Sequence, residues 1–99
     1  MNKFDLLLNG APAAKNETIP SGTTETRTFV VSHHRGGDAA GKLVKIEASA
    51  PTFISNVQGN LDENGQFQFV VGPSFNTKGS FSLTIKVGNR KKSVEITYV

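Results

Sequence analysis

His33 and His34, followed closely by Asp38, are the side chains of this sequence that come nearest to metal-binding or acid–base chemistry. Imidazoles with a carboxylate are what a divalent ion or a proton relay requires. Adjacent residues of a strand point to opposite faces, so two neighbouring histidines cannot readily hold one ion. No Cys, further His or carboxylate cluster has ligand spacing. Both rings are therefore expected as solvated histidines at a strand end, with no metal and no cofactor. Arg35-Gly36-Gly37-Asp38 holds the ingredients of an Arg-Gly-Asp recognition turn, but the second glycine alters the spacing of guanidinium and carboxylate, and an exposed flexible turn is expected instead. Gly36, Gly37 and Gly41 make no phosphate cradle, because no GxGxxG or GxxxxGK pattern opens onto a helix.

Arg90, Lys91 and Lys92 form the one basic run, at the expected tip of the last hairpin. Such a run can contact phosphate or an acidic partner, and it also solvates a turn and discourages edge pairing. Asp62 and Glu63 share a turn, while Glu47 and Glu95 fall on outer strand faces, so no carboxylate pair suits glycoside hydrolysis. No serine lies in GxSxG. No catalytic set is recognisable, and the chain is expected not to be an enzyme.

The elements that carry these residues are strands. In the C-terminal third, Phe81, Leu83, Ile85 and Val87 alternate with polar residues. After Gly88-Asn89 and the basic run the alternation returns at Val94, Ile96 and Tyr98, which predicts a hairpin. Asp62-Glu63-Asn64-Gly65 is a tight turn leading into a strand with Phe67, Phe69 and Val71 on one face, which Gly72-Pro73 ends. Upstream, Phe4, Leu6 and Leu8 mark a first strand, broken by Asn-Gly-Ala-Pro. Residues 13 to 22 read as a surface loop anchored by Ile19, and Thr23 to Ser32 as a second strand with Phe29 and Val31 on one face. His33 to Lys42 reads as a long mobile loop. Leu43 to Pro51 is a further strand, terminated by Pro51, and Phe53, Ile54 and Val57 form a short apolar segment leading to Leu61. No capping box precedes an apolar run of helical period.

Size and charge agree with one small domain. Ninety-nine residues can bury roughly two thirds of the unfolded surface. The absence of cysteine excludes a disulfide framework. Eleven basic against 8 acidic residues give a formal charge of +3, too weak and too little interleaved with aromatics for a nucleic-acid signature. The N-terminal MNKFDLLLNGAPAAK mimics a signal peptide, but Asp5 and Asn9 cut its apolar run short, and no window reaches the roughly 18 apolar residues of a membrane span.

About seven short strands with turn signals between them predict an all-β, immunoglobulin-like β-sandwich of antiparallel strands over residues 1–99, or a small barrel. The pattern Asp62-x-Asn64-Gly65-x-Phe67-x-Phe69, then Lys78-Gly79-x-Phe81-x-Leu83-x-Ile85-x-Val87 and Ser93-Val94-x-Ile96, resembles the bacterial immunoglobulin-like repeats of invasin and intimin-type adhesins. It covers about 40 residues, and the adhesins' D-x-x-G-x-P turn is replaced by HHRGGDAAGK. Related domains occur on tailed-bacteriophage virions as head decoration proteins and tail appendages. A short chain with its own Met1, no signal peptide and a final strand resembles that virion type. The resemblance implies a non-enzymatic structural or adhesive protein on the virion surface, made in the host cytoplasm and fixed to a capsid or tail protein. The alternative is a bacterial cell-surface adhesin or carbohydrate-binding domain, part of a longer chain, whose partner is a cell-surface glycan. No nucleic acid is expected as a partner. The expected contact residues are His33, His34, Arg35 and Asp38 in the glycine-rich loop and Arg90, Lys91 and Lys92 at the basic tip.

Overall fold

Alternation of buried and exposed residues along each strand forces two sheets to close on one another, because each presents a single apolar face. A computed structural model describes residues 3–50, 53–74 and 78–99. Among them nine strands occur: β1 (Phe4–Leu8), β2 (Ala11–Pro12), β3 (Asn16–Ile19), β4 (Arg27–His33), β5 (Leu43–Ala48), β6 (Gln58–Asn60), β7 (Gln66–Val71), β8 (Gly79–Val87) and β9 (Arg90–Tyr98). They form a four-stranded sheet in the order β2-β1-β4-β7 and a five-stranded sheet in the order β3-β9-β8-β5-β6. The β1-β4-β7 and β9-β8-β5 arrangements are those of the two sheets of an immunoglobulin-like sandwich, as the sequence predicts.

The core lies between them. Phe29 of β4 and Phe69 of β7 are cross-strand partners, fully buried, with rings stacked 5.3 Å apart. From the facing sheet come Val44, Leu83, Ile85 and Ile96, each with no solvent exposure, and Tyr98, whose ring leans on Phe81 with centroids 5.7 Å apart. Aromatic pairs of this kind contribute about 0.5–1.5 kcal/mol beyond the area they bury. The expected core residues Phe69, Phe81, Leu83, Ile85, Val94 and Ile96 are all buried, while Phe67 is partly buried at the margin, packed against the core and close to Gly59 of β6.

Three expectations need correction. The stretch expected as a loop over residues 13–22 contains β3, which pairs with β9 in parallel from Asn16↔Glu95 to Ile19↔Tyr98. Its sequence shows a single apolar anchor, Ile19, which is fully buried, so the strand is created by the free edge of β9 rather than by its own alternation. The short segment before Leu61 likewise ends in an unforeseen edge strand, β6, and within it Phe53 and Val57 are more than half exposed.

The third correction concerns the glycine-rich stretch after His34. It is not a long mobile loop. Gly36–Ala39 form a turn of 3-10 helix with Ala39 buried, and the backbone beyond is tied to the 61–65 segment, Gly41 N–H donating to Leu61 O at 2.8 Å and Leu61 N–H to Lys42 O at 2.9 Å. Positive φ at Gly36 and Gly41 supplies the bends. The strand end expected at Pro51 lies outside the described residues.

Candidate functional site

The two histidines have different fates, set by the pleat. His33 continues the inward face of β4 after Phe29 and Val31 and is buried, whereas His34 faces out. The expectation of a solvated His33 is therefore corrected: β4 runs one residue further than expected, opposite Phe4 of β1, and carries the ring inside. The Arg35 N–H donates to His33 Nδ1 at 3.1 Å, so the neutral ring holds its proton on Nε2, and that buried atom has no hydrogen-bond partner among the described residues. Burial, reinforced by the positive charges of Lys42 and Arg35, holds the His33 pKa below the ordinary histidine value. His33 is an inward-facing, uncharged ring at one end of the core.

His34 Nε2, in the turn just after β4, lies 3.1 Å from Asp5 Oδ1 of β1, with both side chains about half exposed. Arg35 and Asp38 are exposed at the ends of the 3-10 turn, where Asp38 N–H donates to Arg35 O at 3.2 Å. Neither side chain makes an ion pair among the described residues. No group of three or more His, Cys, Asp or Glu there could hold a metal ion.

Arg90, Lys91 and Lys92 are not the hairpin tip, which is Gly88-Asn89. They are the first residues of β9, opposite Val87, Lys86 and Ile85 of β8. Arg90 and Lys92 share the face that carries Val94, Ile96 and Tyr98 into the core, but they lie beyond its end and remain exposed. Lys91 points to the other face.

The structure brings part of the expected set together. A cleft of about 300 Å³ opens between the two sheets where β1 faces β9, lined by Lys3, Phe4, Asp5, His34, Arg90, Lys91 and Lys92. A second cleft of similar volume adjoins it, sharing Asp5 and Lys92 and walled by Pro12 to Lys15 and by Ser93 and Val94. His33, Arg35 and Asp38 line neither. The contribution of Lys3 was missed in the sequence, since only the packing of one sheet over the other, with β1 facing β9, carries it to the basic run. β2 covers the edge of β1 only at Leu7 and Leu8, and β3 covers β9 only from Glu95 onward. Between them the edges of β1 at Phe4 and Asp5 and of β9 at Lys91 to Val94 have no strand beside them among the described residues.

No protein-family model and no curated protein sequence matches the chain. Solved structures do. WR4, an MSP family member of C. elegans, superposes with a TM-score of 0.67 at 10% identity, covering 86% of this chain and 93% of that one. Domains 4 and 5 of the S-layer protein SbsC give 0.61 at 14% identity, over 100% of this chain and 54% of theirs. The D00-D0 domain of intimin gives 0.63 at 14% identity, over 96% of this chain and 46% of its own. At such identities the likeness is one of fold: this chain shares an immunoglobulin-like sandwich with these structures, and it spans about half of the S-layer and intimin structures it matches.

Proposed function

We propose that this chain is a non-enzymatic structural or adhesive module of a bacterial cell surface, an immunoglobulin-like unit that works by contact rather than by chemistry. The observation that carries this reading is the superposition of nearly the whole chain on about half of the S-layer and the intimin structures, the first from a protein named for a surface layer and the second from a protein of the adhesin type that the sequence pattern resembles. The site geometry agrees with it. Of the titratable groups that stand out in the sequence, His33 is directed into the core, Arg35 and Asp38 are exposed on the glycine-rich turn, and His34 with Arg90 to Lys92 lines an open cleft between strand edges, where solvated charge suits recognition. The virion placement rests on the sequence resemblance alone.

Antibody raised against the purified chain tests the placement. Intact source cells should bind the antibody and lose the epitope to added protease. Recovery of the protein in purified phage particles, with none on the cells, would replace the cell-surface reading with the virion one. Recovery only in the cytosolic fraction would remove both.

A further inference from the structure

We infer that the cleft between β1 and β9 is a binding site for an anionic polysaccharide, a carboxylated or sulfated glycan chain held by Lys3, Arg90 and Lys92, with Lys91 adding positive charge at its rim. This goes beyond the surface-module reading and does not depend on it, because binding is a property of the isolated domain.

Charge is the first ground. Of 11 basic and 8 acidic residues, four basic ones and one acidic one line this cleft, which leaves seven of each sign for the rest of the chain. The whole formal excess of +3 is thus gathered at one place. Its single carboxylate, Asp5, is engaged by His34, and none of the four cations makes an ion pair or a side-chain hydrogen bond among the described residues. Elsewhere two cations have carboxylate partners, Arg27 with Glu17 and, at a cleft on the outer face of β5 and β8, Lys86 with Glu47, and the other single cations are spread along the chain rather than gathered in one cleft. Unpaired like charges held together on strands repel one another, and a bound anion relieves that repulsion.

Shape and lining choose the class of anion. The cleft joins the second one through Asp5 and Lys92, so cations continue along an extended path that ends at Lys15. That arrangement fits a repeating chain better than one compact anion. The edges of β1 and β9 are left open along it, so main-chain N–H and C=O groups there are available to hydroxyls, which a glycan offers in number. Its one aromatic, Phe4, is only 2% exposed, so the cleft offers bases no stacking platform of the kind that single-stranded nucleic acid uses. The large apolar residues beneath it, Phe4, Leu6 and Val94, are buried in the core, and the accessible apolar side chains of the path, Pro12, Ala13 and Ala14, are small, so a protein partner would find no large apolar anchor.

The test uses the purified domain and heparin and polygalacturonate as probes, with neutral dextran and single-stranded DNA as comparators, at about 50 and 200 mM salt. At least one anionic glycan should bind at the lower salt and weaken as salt rises, and dextran should not bind. The double variant Arg90→Ala with Lys92→Ala should lose affinity by about tenfold or more while keeping its melting temperature, since exposed charges add little stability. A control removing as much charge elsewhere, Lys45→Ala with Lys78→Ala, should stay within about twofold of the parent. Absence of glycan binding at the lower salt overturns the proposal. So does an equal loss in the control, which would reduce the effect to net charge. DNA binding as tight as glycan binding overturns the assignment to polysaccharide.

Discussion

Gly65 sits so close to Gly36 that a β-carbon at position 65 would overlap the Gly36 carbonyl oxygen. The Asp62–Gly65 turn and the glycine-rich stretch are thereby locked together, with Asp62 Oδ1 accepting from the N–H groups of Asn64 and Gln66 at 2.8 and 2.9 Å. Gly65 also has φ of +75°, a conformation costing other residues about 1–2 kcal/mol. Gly41 provides the comparison, with φ of +86° and open space around its missing β-carbon. Gly65→Ala should therefore lower stability more than Gly41→Ala, by about 1–3 kcal/mol of overpacking, read as the difference in urea midpoint at constant slope. Equal losses would show that the contact contributes nothing.

His33 makes stability depend on pH in one direction. Its folded pKa lies below the ordinary value of 6.5, so the unfolded chain takes up the proton more readily. This contribution is fully present above about pH 6.5 and is lost as pH falls through the lowered folded value. The charges around the ring act the same way: Lys42, Arg35 and His34 all disfavour a second cation there. Melting temperatures measured on descending pH should fall in that window for the parent chain, and more weakly for His33→Gln.

How much of this was legible in the sequence depends on where each residue's partner comes from. Strands with their own alternation, β1, β4, β7, β8 and β9, are plain from Phe4, Phe29, Phe69, Phe81 and Ile96, because period-two burial is written locally. β3 and β6 are not, since NETI and QGN carry almost no apolar signal and become strands only beside β9 and β5. The fate of His33 depended on one extra residue of pairing with Phe4. The cleft was half visible: Arg90 to Lys92 stand out as a run, but Lys3 and His34 join them only through cross-sheet geometry. The glycine-rich stretch misled because its order comes from Asp62 to Gly65, more than twenty residues away, rather than from its own sequence.

The stacked pair Phe29 and Phe69 marks the centre of one sheet's inner face. Phe29→Ala should cost about 3–5 kcal/mol, a large fraction of the roughly 5–15 kcal/mol that stabilises a domain, and Phe29→Leu clearly less. A double-mutant cycle with Phe29→Leu and Phe69→Leu should return a coupling of about 0.5–1.5 kcal/mol. Strict additivity would mean that the two rings act only through the area each buries.

Arg27 ties the two sheets together at one end. It sits on β4, yet its Nε donates to Glu17 Oε1 at 3.0 Å and its Nη2 to Thr18 O at 3.1 Å, both on β3 of the opposite sheet, while Nη1 donates to Thr26 O at 3.0 Å. At 23% side-chain exposure for both Arg27 and Glu17, the pair is shielded enough from water to outweigh an ordinary surface ion pair. Lysine offers one compact charge and cannot span a carboxylate and two carbonyls from that position. Arg27→Lys should therefore cost about 1–2 kcal/mol, or roughly 4–8 °C in Tm for each kcal/mol lost. Glu17→Gln keeps the shape of the partner and the hydrogen bonds to the Thr18 and Thr26 carbonyls, so it should cost less than Arg27→Lys. Local loosening should be confined to β3, whose only ladder is the parallel one with β9. Amide exchange should quicken over residues 16–19 in Arg27→Lys while the β8–β9 hairpin stays protected. Uniform acceleration across both sheets would show instead that Arg27 supports the fold as a whole rather than holding β3 in place.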